Sequence, residues 1–568
     1  MDDTYSRLLR DYWGYRTFRP HQREIIANAA QGHDVLAILP TGGGKSLTFQ
    51  IAGLARGGLT LVVTPLIALM EDQVAALKQR GIRAMAVHSG YTTAQVIERL
   101  DSCIHGHFSF LYLSPERLRT EPFIARLEAL DIRLIAVDEA HCISQWGFDF
   151  RPSYRQIAIL REQLPGVPVL ALTASATPPV QQDICQQLLM EHPQVVSGEF
   201  SRRNLIYGVR HPRDINAAML QFIARVKGSG IIYVRSRAGA QEVAKILCAS
   251  GFNALHYHAG LPAQERLQRQ ERWRKGDVPI MVTTNAFGMG IDKPDTRYVL
   301  HLGIPPSLEE YYQEAGRAGR DGQTAYALLL AEEWDYAFAR ENLQRRYPPL
   351  AVLYRVWRAL MAFLTTVTCH EDRYEFDPKL FRQLSNLDPL ELRDALGLFQ
   401  RKGWISLEQV HLPTLWIRVL ADRQTLDASR RRHSPRHVLL QTLVGNYPGI
   451  CQRVVECKQP ELASLLPELG HQIPQLLAQL SDRGLIELKG MSPSCTLLLR
   501  GASTDFPIPP IDRQELEADY QRERERLEAM IAYAQNSHQC REFQIARYFG
   551  VEAPLRCGHC DVCIERKR

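Results

Sequence analysis

The sequence predicts an α/β protein in which two parallel β-sheets precede a mostly helical region. Between residues 34 and 330, short apolar runs alternate with longer amphipathic stretches. Nearly continuous apolar strands that alternate with helices are typical of parallel sheets covered on both faces. The polar segment 197–212 separates two sets of runs, so two domains with a cleft between them are expected. The runs are DVLAIL (34–39), LTLVVT (59–64), RLIAVD (133–138) and PVLALT (168–173), then GIIYV (230–234), IMVTT (280–284), RYVLH (297–301) and AYALLL (325–330).

Length and composition are those of a multidomain globular protein. The chain has 568 residues, too many for one hydrophobic core, which predicts about three to five domains. No run approaches the ~20 apolar residues of a membrane span. The first residues, MDDTYSRLLR, are unlike a secretory signal, so a cytoplasmic location (nucleoid-associated in a bacterium) and no membrane partner are expected. The net charge, 68 − 62 = +6, permits a nucleic-acid partner, and a solvated basic surface explains it equally well.

The segment LPTGGGKS (39–46) has the composition of a phosphate-binding loop. It follows an apolar strand and opens a helix, so the amides of the glycines at 42, 43 and 44 can surround phosphates. Lys45 can reach the β- and γ-phosphates, and the Ser46 hydroxyl can bind Mg²⁺. Leu39 stands where the strict pattern has glycine, but the strand–loop–helix context still predicts a nucleotide site.

A second motif, AVDEAH (136–141), ends another predicted strand. Asp138 is expected to hold Mg²⁺, directly or through water, and Glu139 to position or activate the attacking water. His141 completes the motif as a third catalytic candidate. Two adjacent acids after a strand can also cap a helix, but the phosphate-binding loop upstream favours the catalytic interpretation.

Two arginines in the second domain are candidates for a contribution across the cleft. Arg317 and Arg320 lie in QEAGRAGRDG (313–322), three residues apart and therefore on one face of a helix. An arginine that reaches the γ-phosphate from the other domain makes hydrolysis depend on domain closure. The alternative is a surface pair, which the flanking glycines disfavour.

Residues 350–502 contain a weak internal repeat. LGLFQRKGWISL (396–407) and LAQLSDRGLIEL (477–488) superpose with glycines at 403 and 484, and a further strand follows each copy. Two shorter helical stretches precede each copy, so the pattern predicts two winged-helix-like units, of about 350–425 and 434–502. The alternative is a generic helical insertion with chance similarity. The basic run SRRRHSPRH (429–437) fits phosphate contacts or a solvated linker equally well.

The C-terminal cysteines predict a structural metal site. Cys540, Cys557, Cys560 and Cys563 offer four soft ligands with no open position, which fits tetrahedral Zn²⁺. A redox pair of Cys560 and Cys563, participation of His559, and an iron–sulfur cluster are the alternatives. A long charged helix (512–539) leads into this cluster.

Together these motifs resemble superfamily 2 helicases, and more narrowly the RecQ family of DNA helicases. The likeness includes GYRTFRPHQREII (14–26), TPLIALMEDQV (64–74), YLSPERL (112–118), ALTASA (171–176), GIIYVRSR (230–237), TNAFGMGIDKPDTRYVLH (284–301) and YYQEAGRAGRDG (311–322). It implies two RecA-like domains, ATP with Mg²⁺, and structural Zn²⁺. The residue roles that it implies are Arg19 stacked on adenine, Gln22 bonded to the adenine edge, Thr41 in the phosphate-binding loop, Asp292 closing the second domain on the nucleotide, Arg320 as the arginine finger with Arg317 beside it, and Thr173 with Ser175 between the ATP site and the DNA path.

The segment QWGFDFRP (145–152) resembles the aromatic-rich loop of RecQ proteins. Single-stranded bases stack on exposed aromatic side chains, with about 1–3 kcal/mol per base. A loop directly behind Glu139 is placed to couple DNA occupancy to hydrolysis. The alternative is a hydrophobic contact between the domains, with Phe150 buried. The DNA-binding candidates implied are Gln145, Trp146, Phe148 and Arg151 in this loop, with Ser236 and Arg237 in the second domain.

The resemblance implies an ATP-dependent helicase that moves 3′ to 5′ on single-stranded and partially duplex DNA, as a monomeric motor in recombination and repair. The commonest RecQ layout places the zinc module directly after the second domain, whereas here residues 346–511 intervene and offer a surface for protein partners. The expected domains are 1–205, 206–345, 346–511 and 512–568. The alternatives are a translocase that does not separate strands, an RNA helicase, and a duplex-binding module with a vestigial motor.

Overall fold

The computed structural model describes residues 4–147, 149–198, 200–288, 293–367, 369–370, 373–411, 414–422, 424–426, 434–469, 472–489, 494–499, 509–552 and 554–566. The chain forms two compact units, of which unit 1 comprises Met1–Arg340 with Gln521–Arg568 and unit 2 comprises Glu341–Tyr520. Among the described helices, none combines the length and the apolar character that crossing a membrane requires.

The first lobe of unit 1 is a parallel sheet flanked by helices. Its strands are β1 (Val35–Ile38), β2 (Leu59–Val63), β3 (Ala84–Val87), β4 (Phe110–Leu113), β5 (Ile132–Val137), β6 (Val169–Thr173) and β7 (Gln194–Ser197). Its helices are α1 (Thr4–Trp13), α2 (Gln22–Gln31), α3 (Lys45–Arg56), α4 (Ile67–Gln79), α5 (Thr93–His105), α6 (Glu121–Ile124), α7 (Ala158–Gln163) and α8 (Pro178–Gln187), with 3-10 turns at Pro115–Arg119, Leu127–Ala129, Ala140–Ile143 and Pro152–Ile157. The strand order is β3-β4-β2-β5-β6-β1-β7.

The second lobe of unit 1 repeats this arrangement with six strands. They are β8 (Leu205–Arg210), β9 (Ser229–Tyr233), β10 (Ala254–Tyr257), β11 (Ile280–Thr283), β12 (Thr296–Leu302) and β13 (Ala325–Leu330), in the order β10-β11-β9-β12-β13-β8. The helices are α9 (Ile215–Arg225), α10 (Arg237–Ala249), α11 (Ala263–Lys275) and α12 (Leu308–Ala315), and α13 (Glu333–Arg346) begins in this lobe and ends in unit 2.

The prediction of two parallel sheets is confirmed. Neighbouring strands of both sheets pair in parallel, as β1 does with β6 and β9 does with β12. Every residue of β1, β2 and β9 is buried, which explains why the strands are apolar throughout rather than alternating.

The described part of unit 2 contains two small sheets, each packed on its own helices. Its strands are β14 (Cys369–His370), β15 (Arg373–Phe376), β16 (Ile405–His411), β17 (Thr414–Val419), β18 (Val455–Lys458), β19 (Ile486–Lys489) and β20 (Ser494–Leu499). Its helices are α14 (Leu350–Leu364), α15 (Pro378–Ser385), α16 (Pro389–Arg401), α17 (Pro435–Asn446), α18 (Gln459–Leu465) and α19 (Ile473–Asp482), with a 3-10 turn at Pro467–Leu469. The sheet orders are β14-β15-β20-β16 and β18-β17-β19.

The strand pairing in unit 2 differs from the predicted division into consecutive units of 350–425 and 434–502. β16 pairs with β20, and β17 pairs with β19, so the second sheet is inserted between two strands of the first. The two repeat glycines do correspond, because Gly403 and Gly484 both have positive φ, at 71° and 66°, directly after a helix. Both copies therefore share a helix, a glycine and a strand in the same order, but this local likeness did not identify the partner of each strand, which depends on two separate cores.

Among the described residues that follow unit 2's sheets are three further helices, namely α20 (Arg513–Gln535), α21 (Arg541–Tyr548) and α22 (Asp561–Glu565). The predicted boundary at residue 512 differs from the structure, since α20 begins in unit 2 and ends in unit 1. Within unit 1, Arg340 of α13 forms two hydrogen bonds of 2.7 Å with Glu528 of α20. Residues 521–568 are thus part of the same compact unit as the two lobes.

Candidate active site

The turn between β1 and α3 forms a cradle of backbone amides. Gly42 and Gly44 have φ values of 76° and 80°, which glycine adopts without strain. A Cβ atom on Gly43 would lie 2.8 Å from the carbonyl oxygen of Pro40, so a larger side chain does not fit. Because α3 begins at Lys45, the free amides of its first turn face the cradle, which suits a phosphate group.

Charged side chains from two strand ends meet at this cradle. Lys45 Nζ lies 3.5 Å from Glu139 Oε1, and the Ser46 hydroxyl accepts a hydrogen bond of 3.3 Å from Gln73. Glu139 has a φ of 48°, a left-handed conformation that is uncommon for glutamate and that often marks a functional position. Gln73 was not among the predicted site residues, although it lies in the quoted motif 64–74.

Asp138 and Glu139 titrate differently although they are neighbours. Burial, together with the negative charge of Glu139, raises the pKa of Asp138 to about 6, against the opposing effect of Lys45. Burial also acts to raise the pKa of Glu139, but Lys45, His141 and Arg317 outweigh it, so that this pKa is lowered. Glu139 therefore stays ionised, whereas Asp138 would gain from a bound cation.

His141 connects the ends of β5 and β6. Its Nδ1 atom lies 3.0 Å from Thr173 Oγ1, which also accepts a hydrogen bond of 3.2 Å from the Ser175 amide. The side chain is fully buried, and burial lowers the pKa of His141. The ALTASA motif is thereby joined to the acidic motif at the level of side chains.

Arg19 and Gln22 contact the phosphate-binding loop itself. Gln22 Nε2 donates hydrogen bonds of 3.0 and 3.3 Å to the carbonyl oxygens of Gly43 and Gly44. Arg19 donates to the carbonyl oxygen of Gly42, and its own amide donates to Gln22 Oε1 at 3.0 Å. These side chains thus hold the loop in this structure, on the wall of the cavity where adenine contacts were expected.

The arginine pair of the second lobe reaches the same cavity. Its volume is about 640 Å³, and its wall includes Thr41, Lys45, Asp138, Arg317 and Arg320. Arg317 is only 4% exposed and is close enough to lower the pKa of Glu139. A Cβ atom on Gly42 would lie 3.4 Å from the Arg320 side chain, so the two lobes touch at this point.

A residue that the sequence did not reveal holds the arginine segment in place. Arg202, from the polar segment between the lobes, donates hydrogen bonds of 2.9, 2.8 and 2.6 Å to the carbonyl oxygens of Gly316, Ala318 and Gly319. Burial lowers the pKa of Arg202, and these carbonyl groups compensate for its lost solvation. Nothing in the local sequence distinguishes it from Arg203.

The predicted aromatic loop follows the acidic motif directly. Trp146 is 48% exposed, and Gln145 is exposed as well. Arg151 is held by Asp149 at 3.0 Å and by the carbonyl oxygen of Pro65 at 3.2 Å. Phe148 lies outside the described residues, as does Asp292 in the second lobe. An exposed tryptophan on a side-chain-braced loop is available for stacking.

A buried tyrosine behind the loop joins it to the hydrolytic motif. The Tyr154 hydroxyl donates a hydrogen bond of 3.0 Å to the backbone carbonyl of Asp138. The amide of Trp146 donates to Ser144 Oγ at 3.1 Å, and Ser144 in turn bonds Asp183. Sequence reasoning missed Tyr154, because a tyrosine sixteen residues after an aspartate carries no recognisable signal.

Ser236 and Arg237 lie at the start of α10, after the central strand β9. Both are exposed, and the Ser236 hydroxyl accepts a hydrogen bond of 2.9 Å from the Gly239 amide. Ser236 therefore caps the helix, and Arg237 extends near Gly260 of the following strand–helix turn.

The four C-terminal cysteines meet as predicted. The sulfur atoms of Cys540, Cys557, Cys560 and Cys563 all lie within 4.8 Å of one another. The Cys557 amide points at Cys540 Sγ at 3.2 Å, and the Cys560 amide at Cys557 Sγ at 3.3 Å, as expected around thiolate ligands. His559 instead bonds Glu542 at 3.0 Å. The set fits a tetrahedral ion with no open position.

Three family models match parts of the chain. The model described as DEAD/DEAH box helicase matches residues 19–184, Helicase conserved C-terminal domain matches 214–322, and RecQ zinc-binding matches 506–564. The first two coincide with the two lobes and the third with the cysteine cluster. The lobes and the site between them thus define a protein of the helicase class.

Curated relatives narrow this class. The chain is 40% identical over 395 residues to ATP-dependent DNA helicase RecQ of Bacillus subtilis, covering 69% of this chain and 63% of that protein. It is 40% identical over 369 residues to RecQ of Haemophilus influenzae, covering 64% and 60%. It is 38% identical over 343 residues to a B. subtilis protein described as probable ATP-dependent DNA helicase RecS, covering 60% and 69%. The chain belongs to the RecQ family of helicases, and it spans about 60–63% of the length of the two RecQ relatives.

Proposed function

We propose that this protein is an ATP-dependent DNA helicase that moves 3′ to 5′ along one strand and separates duplex DNA in recombination and repair. One observation carries the proposal: Lys45, Asp138 and Glu139 of the first lobe share a cavity with Arg317 and Arg320 of the second. Such a cavity can hydrolyse ATP only when both lobes contribute, which is the requirement for converting hydrolysis into motion.

The residues of the cradle fit a nucleotide with its metal ion. The Thr41 hydroxyl is buried in the cavity wall and has no hydrogen-bond partner within the described chain. Ser46 and Asp138 would hold Mg²⁺, and the loop amides with Lys45 would hold the phosphates. Bound Mg²⁺ neutralises charge on the β- and γ-phosphates. Glu139, ionised and 3.5 Å from Lys45, is placed to orient a water molecule.

The cysteine cluster is proposed to bind structural Zn²⁺. Four sulfur atoms within 4.8 Å and amide groups directed at two of them form a complete ligand set. The chemistry of the donors, rather than an open coordination position, supports a structural role.

The DNA path is proposed to run over the aromatic loop and across the exposed start of α10. Trp146 offers a half-exposed ring for base stacking, while Arg151 and Arg237 offer charge for phosphates. Tyr154 lies just after the aromatic loop and donates a hydrogen bond to the Asp138 carbonyl oxygen. A movement of the loop would therefore shift the backbone that carries Asp138 and Glu139. We propose a monomeric motor acting in the cytoplasm on single-stranded and partially duplex DNA, with unit 2 as a surface for protein partners.

The test uses duplexes of identical sequence that carry a single-stranded tail at either the 3′ or the 5′ end. ATP-driven release of a strand from the 3′-tailed duplex alone is the expected result. Release from the 5′-tailed duplex would contradict the polarity. Hydrolysis stimulated by DNA with neither duplex opened would make the protein a translocase. This is the second candidate function, because the second sheet of unit 2 is inserted between β16 and β20 and alters the region that would grip duplex DNA.

A further inference from the structure

One face of α20 touches both the aromatic loop and helix α12, which leads to the arginine pair. Arg522, Arg526 and Tyr533 are four and seven residues apart along α20, spacings that place them on the same side of a helix. From Arg522 to Tyr533 the helix rises about 16 Å. The sequence of α20 did not predict contacts with the aromatic loop or α12, because its many charged residues are typical of a solvent-exposed helix.

At one end of this face, Arg522 covers the tryptophan of the aromatic loop. Its guanidinium carbon lies 5.0 Å from the centre of the Trp146 ring, within the range of a cation–π contact. Nearly half of Trp146 remains exposed, so the arginine orients the ring without enclosing it. A base that stacks on Trp146 therefore meets a ring that is already in contact with α20.

Further along the same face, Arg526 and Tyr533 contact α12. Arg526 Nε lies 3.7 Å from Glu309 Oε1, and Glu309 is only 3% exposed. The Tyr548 hydroxyl of α21 donates a hydrogen bond of 2.8 Å to the same oxygen. The rings of Tyr533 and Tyr311 are 5.3 Å apart. These buried contacts fix α12 relative to α20.

The helix α12 leads directly to the arginine pair. It ends at Ala315, and the turn bonded by Arg202 carries Arg317 and Arg320 into the nucleotide cavity. A shift of α12 is therefore a shift of the arginines.

The end of α20 next to the cysteine cluster is firmly anchored. Arg541 donates hydrogen bonds of 2.6 and 2.9 Å to the carbonyl oxygens of Tyr533 and Asn536, and of 3.0 and 3.2 Å to Asp561. Asp561 also accepts the amide of Val209 in β8 at 2.8 Å. With this end held, a change at Arg522 is transmitted along a stiff helix rather than absorbed at its end.

We propose that α20 couples the aromatic loop to the arginine pair, with Arg522 and Arg526 as positioning residues that relay DNA occupancy at Trp146 to α12. The inference rests on the proposed helicase function and names a second route beside the direct one through Tyr154. It assigns to the segment next to the cysteine cluster a part in regulating hydrolysis.

The test compares Arg522→Gln with wild type in ATP hydrolysis, without DNA and with saturating oligothymidylate. We expect an unchanged basal rate, an unchanged KM for ATP, and a DNA-stimulated kcat lower by about fivefold, the scale of coupling through a packed network. Arg526→Gln should lower the stimulated kcat similarly, and the double variant should lose no more than either single one. The matched control is Arg524→Gln, which removes the same charge from an exposed position of α20.

Each other outcome overturns the inference. A wild-type stimulated kcat in Arg522→Gln at saturating oligothymidylate, with weaker oligonucleotide binding, would make Arg522 a simple DNA contact. An equal loss in Arg524→Gln would reduce the effect to net charge. Additive losses in the double variant would mean two independent sites. Wild-type protein whose hydrolysis ignores DNA would instead refute the proposed function, and the inference with it.

Discussion

The two lobes of unit 1 share a sheet architecture but place their functional residues differently. In the first lobe, Lys45 stands at the start of α3, after the loop that follows β1, and Asp138 directly follows β5. In the second lobe, the central strand β9 leads to Ser236, which caps a helix, and no glycine–lysine turn follows it. Its arginines come from the turn after α12 instead. The same fold therefore supplies the proposed phosphate-binding residues in the first lobe, whereas the second lobe contributes its arginines from the turn after a helix.

The first lobe's site contacts lie within that lobe, whereas the arginines of the second lobe reach the site only through contact between the lobes. Lys45 lies 3.5 Å from Glu139, and the Glu139 amide donates a hydrogen bond to Asp138 Oδ1, so these contacts lie within the first lobe and we expect them to persist when the lobes separate. Arg320 approaches Gly42 only because the lobes touch. The first lobe should therefore determine nucleotide affinity, and the second should determine the rate of the chemical step.

The largest expected effect is that of Lys45→Ala in the first lobe. Loss of its charge from the phosphate site should lower kcat at least about a thousandfold and also weaken nucleotide binding. Steady-state hydrolysis together with titration of a fluorescent ATP analogue measures both. Retention of wild-type affinity for the analogue would break the proposed division between the lobes.

In the second lobe, Arg320→Ala should lower kcat by about a hundredfold while analogue affinity stays within about twofold of wild type. Arg317→Ala should do the same, with a smaller loss if Arg320 is the finger. The control is Arg213→Ala, an exposed arginine of the same lobe. If the loss in Arg320→Ala appeared in affinity rather than in kcat, both lobes would bind and the comparison would fail.

Residues next to each other in sequence were predictable, and residues joined by tertiary contacts were not. The glycines, Lys45 and Asp138 belong to short motifs whose chemistry depends on local spacing. The contact between Tyr154 and the Asp138 carbonyl, and that between Arg202 and the arginine turn, join segments whose proximity no local pattern encodes.

The same limit explains the fold of unit 2. Helix–glycine–strand copies were visible, yet β16 and β19 are alike enough that sequence alone gave no reason to prefer one partner over another. The observed pairing of β16 with β20 follows from which strands complete each buried core. Local periodicity predicts elements, whereas non-local burial decides how they pair.

A smaller effect is expected from the cysteine cluster, and it should fall unequally on the lobes. Asp561 accepts a hydrogen bond from the Val209 amide in the edge strand β8. Cys560→Ser should therefore lower the free energy of local unfolding of β8 by about 3 kcal/mol. Hydrogen exchange of 205–210 should accelerate, while that of 35–38 stays unchanged. Cys248→Ser, at an exposed free thiol, is the control. Equal acceleration in both strands would show global unfolding instead.

The smallest expected effect is a change in folding stability with pH, measured on the protein without nucleotide or Mg²⁺ in the first lobe. The pKa of Asp138 is raised from 3.8 to about 6, so below about pH 4 the carboxyl group is protonated in both the folded and the unfolded chain and costs nothing. As the pH rises, the unfolded chain loses the proton first, and above about pH 6 burial of the carboxylate destabilises the fold. Asp138→Asn should therefore gain at most about 3 kcal/mol of unfolding free energy at pH 8, and well under about 1 kcal/mol at pH 4.

Denaturant unfolding in buffer without added Mg²⁺, nucleotide or chelator measures this gain, because a chelator would also act on the cysteine cluster. Asp72→Asn, which neutralises an exposed carboxylate of the same lobe, should change little at either pH. The stabilised Asp138→Asn variant should nevertheless be inactive in hydrolysis, since it has lost the carboxylate that we propose to hold Mg²⁺. A variant no more stable than wild type at pH 8 would mean that neighbouring groups already compensate the buried carboxylate. A bound cation would then have no unfavourable burial energy to relieve in the first lobe.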